Sequence, residues 1–222
     1  MRAARVPAVH HRGMDADQVA TLRVLLASTG WLERAREFGR TLRSSPRSPG
    51  GLLLVGTPDY EPWHFAAHLD DESRLSGLPL LAPTLVRWSP PPDAPPHLRI
   101  GLDRLEAARR GETLFVVTEG TSPVPLLERV NDARRVGATI LALDGGADPE
   151  LEGLAHESLA APATVSFDAA QHLVSAAAGD RYPGSDHSTD ARGYQPGRDA
   201  RGVRGLRDRV ARLLDIVSGP NA

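Results

Sequence analysis

The strongest constraint on the fold is a series of short, uninterrupted apolar runs separated by segments with helical spacing. Three runs stand out: GLLLVG at 51–56, TLFVVTE at 113–119 and ATILALDGG at 138–146. A strand that is apolar without alternation is typical of a parallel sheet whose two faces are both covered. TLVRW at 84–88 and ATVSF at 163–167 are weaker candidates. We therefore expect an α/β three-layer sandwich with a five-stranded parallel sheet.

Helices are predicted before and between these runs. Two amphipathic segments precede the first strand as an N-terminal helical pair. Their apolar residues are Val19, Leu22, Leu25 and Leu26 in the first segment, and Trp31, Ala35, Phe38 and Leu42 in the second. Of the later helices, one over 149–159 has Asp148 as its predicted N-cap. The last helix of the core, AAQHLVSAAAG, has Asp168 as its predicted N-cap.

The outer parts of the chain differ in composition from this core. Residues 1–13 are expected to be disordered, and residues 180–202 a flexible linker, because they contain no apolar aliphatic run. Residues 14–179 form the predicted α/β domain with its N-terminal helices. A last apolar stripe predicts an amphipathic helix over 203–219, which would dock on the body or on a partner subunit.

The composition excludes several kinds of chemistry. All 26 residues of the Lys and Arg type are arginine, so there is no lysine for a Schiff base or a P-loop. The chain also contains no cysteine, which excludes a thiolate metal site. The formal net charge of −2 gives no reason to expect nucleic acid or an anionic membrane as partner. No apolar run has membrane-spanning length, and the amino terminus lacks a signal-peptide core, so we expect a cytoplasmic protein. The excess of arginine, alanine, glycine and proline is typical of a GC-rich bacterium.

The turn TEGTS at 118–122 follows a predicted strand, where parallel sheets place their ligands. Gly120 permits a tight turn, Ser122 is a good helix N-cap and Pro123 a good first helical residue. These features are sufficient for a strand-to-helix connection. They also suit an anion cradle, because the N–H groups of a helix start bind phosphate and the hydroxyls of Thr121 and Ser122 are adjacent.

The chain resembles the SIS (sugar isomerase) domain family. Two leading helices, a strand ending in Gly-Thr, a strand ending in a Gly-Thr-Ser turn, and the stretches RRVGATILALDGG and LEGLAHESL stand in the family's order. The resemblance covers residues 15–179. It implies a parallel α/β sandwich, a homodimer and a sugar phosphate or related anion as the ligand, without a cofactor.

The resemblance also implies which residues bind the ligand. They are Gly56 and Thr57 after the first strand, and Thr118, Gly120, Thr121 and Ser122 after the third. Val117 and Glu119 stand where the family has serines. Because of these departures, a non-catalytic binding or regulatory module is the preferred function. A structural dimer with a decayed site is a weaker alternative.

An aldose–ketose phosphosugar isomerase is the other alternative, and it needs a group that moves a proton between two carbons. Glu61, after the first strand, and His172, in the last core helix, are the candidates. Each has a simpler interpretation, as an acidic residue of a helix's first turn and as a partly buried, hydrogen-bonded histidine. Asp144, at the end of another strand, could hydrogen-bond sugar hydroxyls, although turn formation alone explains it.

No metal site is assigned from the sequence. His64 and His68 are four residues apart on a predicted helix, with Asp71 three residues further on, and this spacing would suit zinc. Phe65 stands in place of the glutamate of H-E-x-x-H, so a zinc protease is not indicated. The preferred interpretation is a solvated polar face.

Overall fold

A computed structural model describes residues 30–146 and 148–180. Within them, five strands form one all-parallel sheet in the order β2-β1-β3-β4-β5. The strands are β1 (Leu52–Val55), β2 (Thr84–Val86), β3 (Thr113–Thr118), β4 (Thr139–Asp144) and β5 (Glu157–Ala160). The predictions for residues 1–13, for the first amphipathic helix, for the linker after Asp180 and for the helix over 203–219 lie outside the described residues.

Helices cover both faces of this sheet in the described part of the chain. One face carries α1 (Trp31–Ser44), α2 (Trp63–Ser76) and α6 (Phe167–Gly179), and the other carries α3 (Asp103–Glu106), α4 (Val124–Arg135) and α5 (Pro149–Leu154). The predicted fold class, a three-layer α/β sandwich with five parallel strands, is thus confirmed. None of the described helices combines the length and apolarity that crossing a bilayer needs.

Strand residues alternate between the two faces although most residues of the three central strands are buried. In β1, Leu52 and Leu54 pack with α1, α2 and α6, whereas Leu53 packs on the opposite side. Every residue of β3 is buried. The ring centroid of Phe115 in β3 lies 5.6 Å from that of Phe38 in α1. Continuous apolar runs are what a doubly covered strand requires.

The fifth strand lies earlier in the chain than predicted. β5 pairs with Leu141–Asp144 of β4, whereas ATVSF at 163–167 leads into α6. β5 is an edge strand, and Leu159 is its one buried residue. Its sequence, ESLA, therefore has no apolar run from which it could be recognised.

Two helix ends also differ from the sequence prediction. The helix predicted over 149–159 ends at Leu154, because the backbone at His156 joins the sheet: His156 N donates to Ile140 O at 2.8 Å. The N-cap of α6 is Ser166, whose side chain accepts a hydrogen bond from a backbone N–H, and not Asp168. A serine hydroxyl fulfils this role as well as a carboxylate does.

The carboxyl ends of all five strands meet at one edge of the sheet. The chain leaves β1 toward β2 on one side and continues with β3 on the other side of β1, so the topological switch point lies between β1 and β3. Doubly wound sheets bind ligands at this edge. The loops that follow the strands there define the region in which a site is expected.

Helices α1 and α6 cross closely at Gly39, where an added Cβ would lie 2.8 Å from backbone atoms of Ala177 and Ala178. We expect Gly39→Ala to lower the free energy of unfolding by about 1–3 kcal/mol, because overpacking outweighs the better helix propensity of alanine. Urea unfolding measures this change. Gly153→Ala is the matched control, since a Cβ there meets nothing within 4 Å. Equal effects of the two substitutions would contradict the close crossing.

Candidate functional site

The loop after β1 is closed on itself. Thr57 N donates to Tyr60 O at 3.0 Å, and Tyr60 N donates to Thr57 O at 3.2 Å. A Cβ at Gly56 would overlap the carbonyl oxygen of Tyr60, so only glycine fits there. Trp88 Nε1 donates to Gly56 O at 2.8 Å. Thr57 is predicted to hold a ligand, and its backbone amide is thus used within the protein.

The turn after β3 also satisfies part of its own hydrogen-bonding capacity. Thr118 Oγ1 donates to Gly120 O at 2.8 Å, and Ser122 N donates to Asp148 Oδ2 at 2.7 Å. The N-cap of α4 is Pro123 and not Ser122. Ser122 Oγ is buried and has no hydrogen-bond partner among the described residues.

Asp148 accepts a hydrogen bond from the amide of Ser122, just before the N-cap of α4. It is buried, and its second carboxylate oxygen accepts a hydrogen bond from Leu151 N at 3.1 Å, which caps α5. A carboxylate at a helix start is favourable, because it interacts with the unpaired N–H groups and the helix dipole. A phosphate at the Ser122 amide would have to displace it. Gly120 and Thr121, in the same turn, are exposed.

A cavity of about 230 Å³ opens at the carboxyl ends of β4 and β5. Its polar lining consists of Arg34, Asp144, Asp148, Glu152 and Ser158. Asp148 joins this cavity to the turn after β3. Asp144 is a candidate from the sequence, whereas Arg34 is not, because a single exposed arginine on an amphipathic helix carries no signal of its own.

The charges in this cavity are unevenly distributed. Burial raises the pKa of Asp144, the hydrogen bond from Gly146 N opposes this, and the charges of Asp148 and Glu152 raise it further. Arg34 makes no ion pair with another described residue. A buried carboxyl with a raised pKa in a cleft is typical of functional sites. The cavity offers acceptors to hydroxyl or amino groups, and one cation to an anion.

Glu61 faces an arginine. Arg87 Nε lies 2.5 Å from Glu61 Oε1, and the two side chains are only 23% and 28% exposed. A general base must be able to reach the proton that it removes. Glu61 is committed to this ion pair, and it does not line the cavity.

His172 belongs to a group of three histidines between α2 and α6, which we call the histidine triad: His64, His68 and His172. The Nε2 atoms of His64 and His68 lie 2.8 Å apart. The ring centroid of His172 lies 4.1 Å from that of His68 and 5.2 Å from that of His64. Asp71, which the sequence grouped with His64 and His68, lies 3.7 Å from Arg74 in an ion pair.

The surroundings of His68 and His172 disfavour the protonated form of these two residues. Burial, followed by the charges of His68 and His64, lowers the pKa of His172 to about 4, against an opposing effect of Asp168. Burial and the charge of His64 also lower the pKa of His68, against an opposing effect of Asp71. Neutral imidazoles present a lone pair on one ring nitrogen.

No family model and no curated protein matches the sequence. Several solved structures resemble the chain. A "putative phosphosugar isomerase" from Silicibacter pomeroyi DSS-3 has 14% identity and a TM-score of 0.48, over 91% of this chain and 52% of that chain. A "putative sugar binding protein" from Salmonella typhimurium LT2 has 15% identity and a TM-score of 0.45, over 89% of this chain and 52% of that chain. The chain thus spans about half the length of these proteins, and such values establish neither its family nor its ligand.

The raised pKa of Asp144 predicts a pH dependence of stability. The unfolded chain loses this proton near the ordinary pKa of 3.8, whereas the folded chain retains it to higher pH. The protonated Asp144 carboxyl therefore contributes to the stability of the folded chain at low pH. This contribution is lost as the pH rises through the folded-state pKa of Asp144. We expect Asp144→Asn, which keeps an acceptor for Gly146 N, to stabilise the protein more at pH 7 than at pH 4.

Urea unfolding of wild type and variant at the two pH values measures this difference. Asp93→Asn is the control, because Asp93 is exposed and far from the cavity in sequence. It should change stability little at either pH. A gain from Asp144→Asn that is the same at pH 4 and pH 7 would contradict the assigned shift.

Proposed function

We propose that this chain is a carbohydrate-derivative binding domain without catalytic activity, and that its ligand is a sugar phosphate or a related anionic sugar. The observation that carries the proposal is the cavity at the ends of β4 and β5, where Arg34 stands with three carboxylates. This edge of a parallel sheet is where doubly wound folds bind their ligands.

The cavity supplies the two kinds of group that an anionic sugar needs. The carboxylates of Asp144, Asp148 and Glu152 accept hydrogen bonds from hydroxyl or amino groups. The guanidinium of Arg34 offers a planar set of donors that matches a phosphate or carboxylate. Typical ligand pockets have about 300–1,000 Å³. A cavity of about 230 Å³ suits a monosaccharide derivative better than a dinucleotide.

The turn after β3 provides a second contact surface in this proposal. Gly120 and Thr121 are exposed there, and the Ser122 hydroxyl lacks a partner within the described residues. Other predicted ligand residues already form hydrogen bonds within the protein, through backbone groups at Gly56 and Thr57 and through the hydroxyl of Thr118. We therefore assign these three residues a structural role at this edge of the sheet.

The positions of the acid–base candidates support binding without turnover. Glu61 is paired with Arg87, and His172 belongs to the histidine triad. Neither residue lines the cavity. An isomerase needs a base within hydrogen-bond reach of the sugar carbon's proton. The homodimer and the cytoplasmic location stay predictions, and light scattering of the purified chain tests the first.

A thermal-shift screen with hexose, heptulose and amino-sugar phosphates tests the binding proposal. At a ligand concentration of a hundred times the dissociation constant, we expect stabilisation by about 2.7 kcal/mol, or roughly 5–10 °C for a domain of this size. Inorganic phosphate alone should give a smaller shift, because it leaves the carboxylates of the cavity without partners.

Arg34→Gln should remove most of the shift, since it removes the cation of the cavity. Arg40→Gln is the matched control: it lies on the same helix, is exposed and does not line the cavity. The proposal fails if no sugar phosphate changes the melting temperature, or if Arg34→Gln and Arg40→Gln retain the same shift.

Incubation of the chain with the same sugar phosphates tests the absence of catalysis. We expect no interconversion of aldose and ketose, measured by chromatography of the products. Turnover that is lost in Glu61→Gln, His172→Gln or Asp144→Asn would overturn the non-catalytic proposal and identify the base. Circular dichroism of each variant shows whether a loss reflects folding instead.

A further inference from the structure

The histidine triad is a second cluster of chemistry-bearing side chains, separate from the proposed sugar site. It shares no residue with the cavity at the ends of β4 and β5. We propose that His64, His68 and His172 bind a zinc ion, or a first-row divalent ion of similar ligand preference, that links α2 to α6.

The placement of the three rings matches what such an ion requires. His64 and His68 are one helical turn apart on α2 and so share a face, and His172 reaches them from α6. One ring nitrogen from each lies within 4.8 Å of the others. Zn–N distances of about 2.0–2.1 Å place tetrahedral ligand atoms about 3.3 Å apart. The side chains therefore need to move by about 1.5 Å at most, and His64 is exposed.

One nitrogen of the triad has no hydrogen-bond partner among the described residues. His172 Nδ1 is buried and makes no hydrogen bond to a described residue. Buried polar atoms are normally paired, and an unpaired one calls for an explanation such as an ion. The other two rings bond to each other through their Nε2 atoms. A metal ion would supply a partner for one ring nitrogen of each of the three histidines.

The donor set favours this ion. Three imidazoles favour Zn²⁺, Ni²⁺ and Cu²⁺ over Mg²⁺ and Ca²⁺, which prefer oxygen ligands. Asp168 and Gln171 line the small space beside the rings. Three protein ligands leave a fourth position, which water can fill.

Titration of the full chain with ZnCl₂ tests the proposal. The sample is the untagged chain, which is first stripped of metal with EDTA and then titrated by calorimetry at pH 7.5. We expect one zinc ion per chain and a higher melting temperature with zinc, whereas MgCl₂ should change neither heat nor melting temperature. An absence of zinc binding at this stoichiometry would overturn the proposal.

Single substitutions His64→Gln, His68→Gln and His172→Gln locate the site. Each substitution should weaken zinc binding at least about tenfold. A loss of that size is already typical when a residue that only supports a metal ligand is replaced. His97→Gln is the control, because His97 is exposed and outside the triad. If His172→Gln fails to fold, His64→Gln replaces it in the test, because His64 is exposed and its substitution should not disturb folding.

The triple substitution controls for binding elsewhere in the chain. It leaves five of the eight histidines in place, including those outside the described residues. Wild-type affinity in this variant, or an equal loss in His97→Gln, would overturn the triad as the site. Because the titration contains no sugar, its outcome is independent of the sugar-binding test.

Discussion

The burial of β3 between two helical layers is the constraint on which the other features depend. All six of its residues are buried, and Phe115 packs its ring against Phe38 and Phe65. Apolar burial of this kind is the dominant favourable contribution to folding. With both faces of the sheet covered, the carboxyl edge is left as the place where polar side chains gather around a cleft.

Asp148 organises that edge. One of its oxygens accepts from Ser122 N at the start of α4, and the other caps α5 through Leu151 N. The protein thus places its own carboxylate on an amide of the turn before α4, and a bound anion cannot use that amide while Asp148 occupies it. In our proposal, recognition of an anionic group consequently depends on Arg34 of α1, while the acidic side chains receive hydroxyl or amino groups.

The helical layer formed by α1, α2 and α6 positions both proposed sites. Arg34 of α1 lines the cavity, and His172 of α6 meets His64 and His68 of α2. The close crossing of α1 and α6 at Gly39 fixes these helices relative to each other. A metal ion between α2 and α6 would add a further link within the same layer.

The sequence by itself determined the class of the fold, because strands buried on both faces consist of continuous apolar runs such as GLLLVG and TLFVVTE, which can be recognised locally. It did not locate β5, since an edge strand with one buried residue contains no such run. Tertiary structure alone decided the partners of polar groups: Asp148 with Ser122, and His172 with the pair on α2. Spacing along the chain reports which residues share a face of an element, and only the packing of elements decides which faces meet.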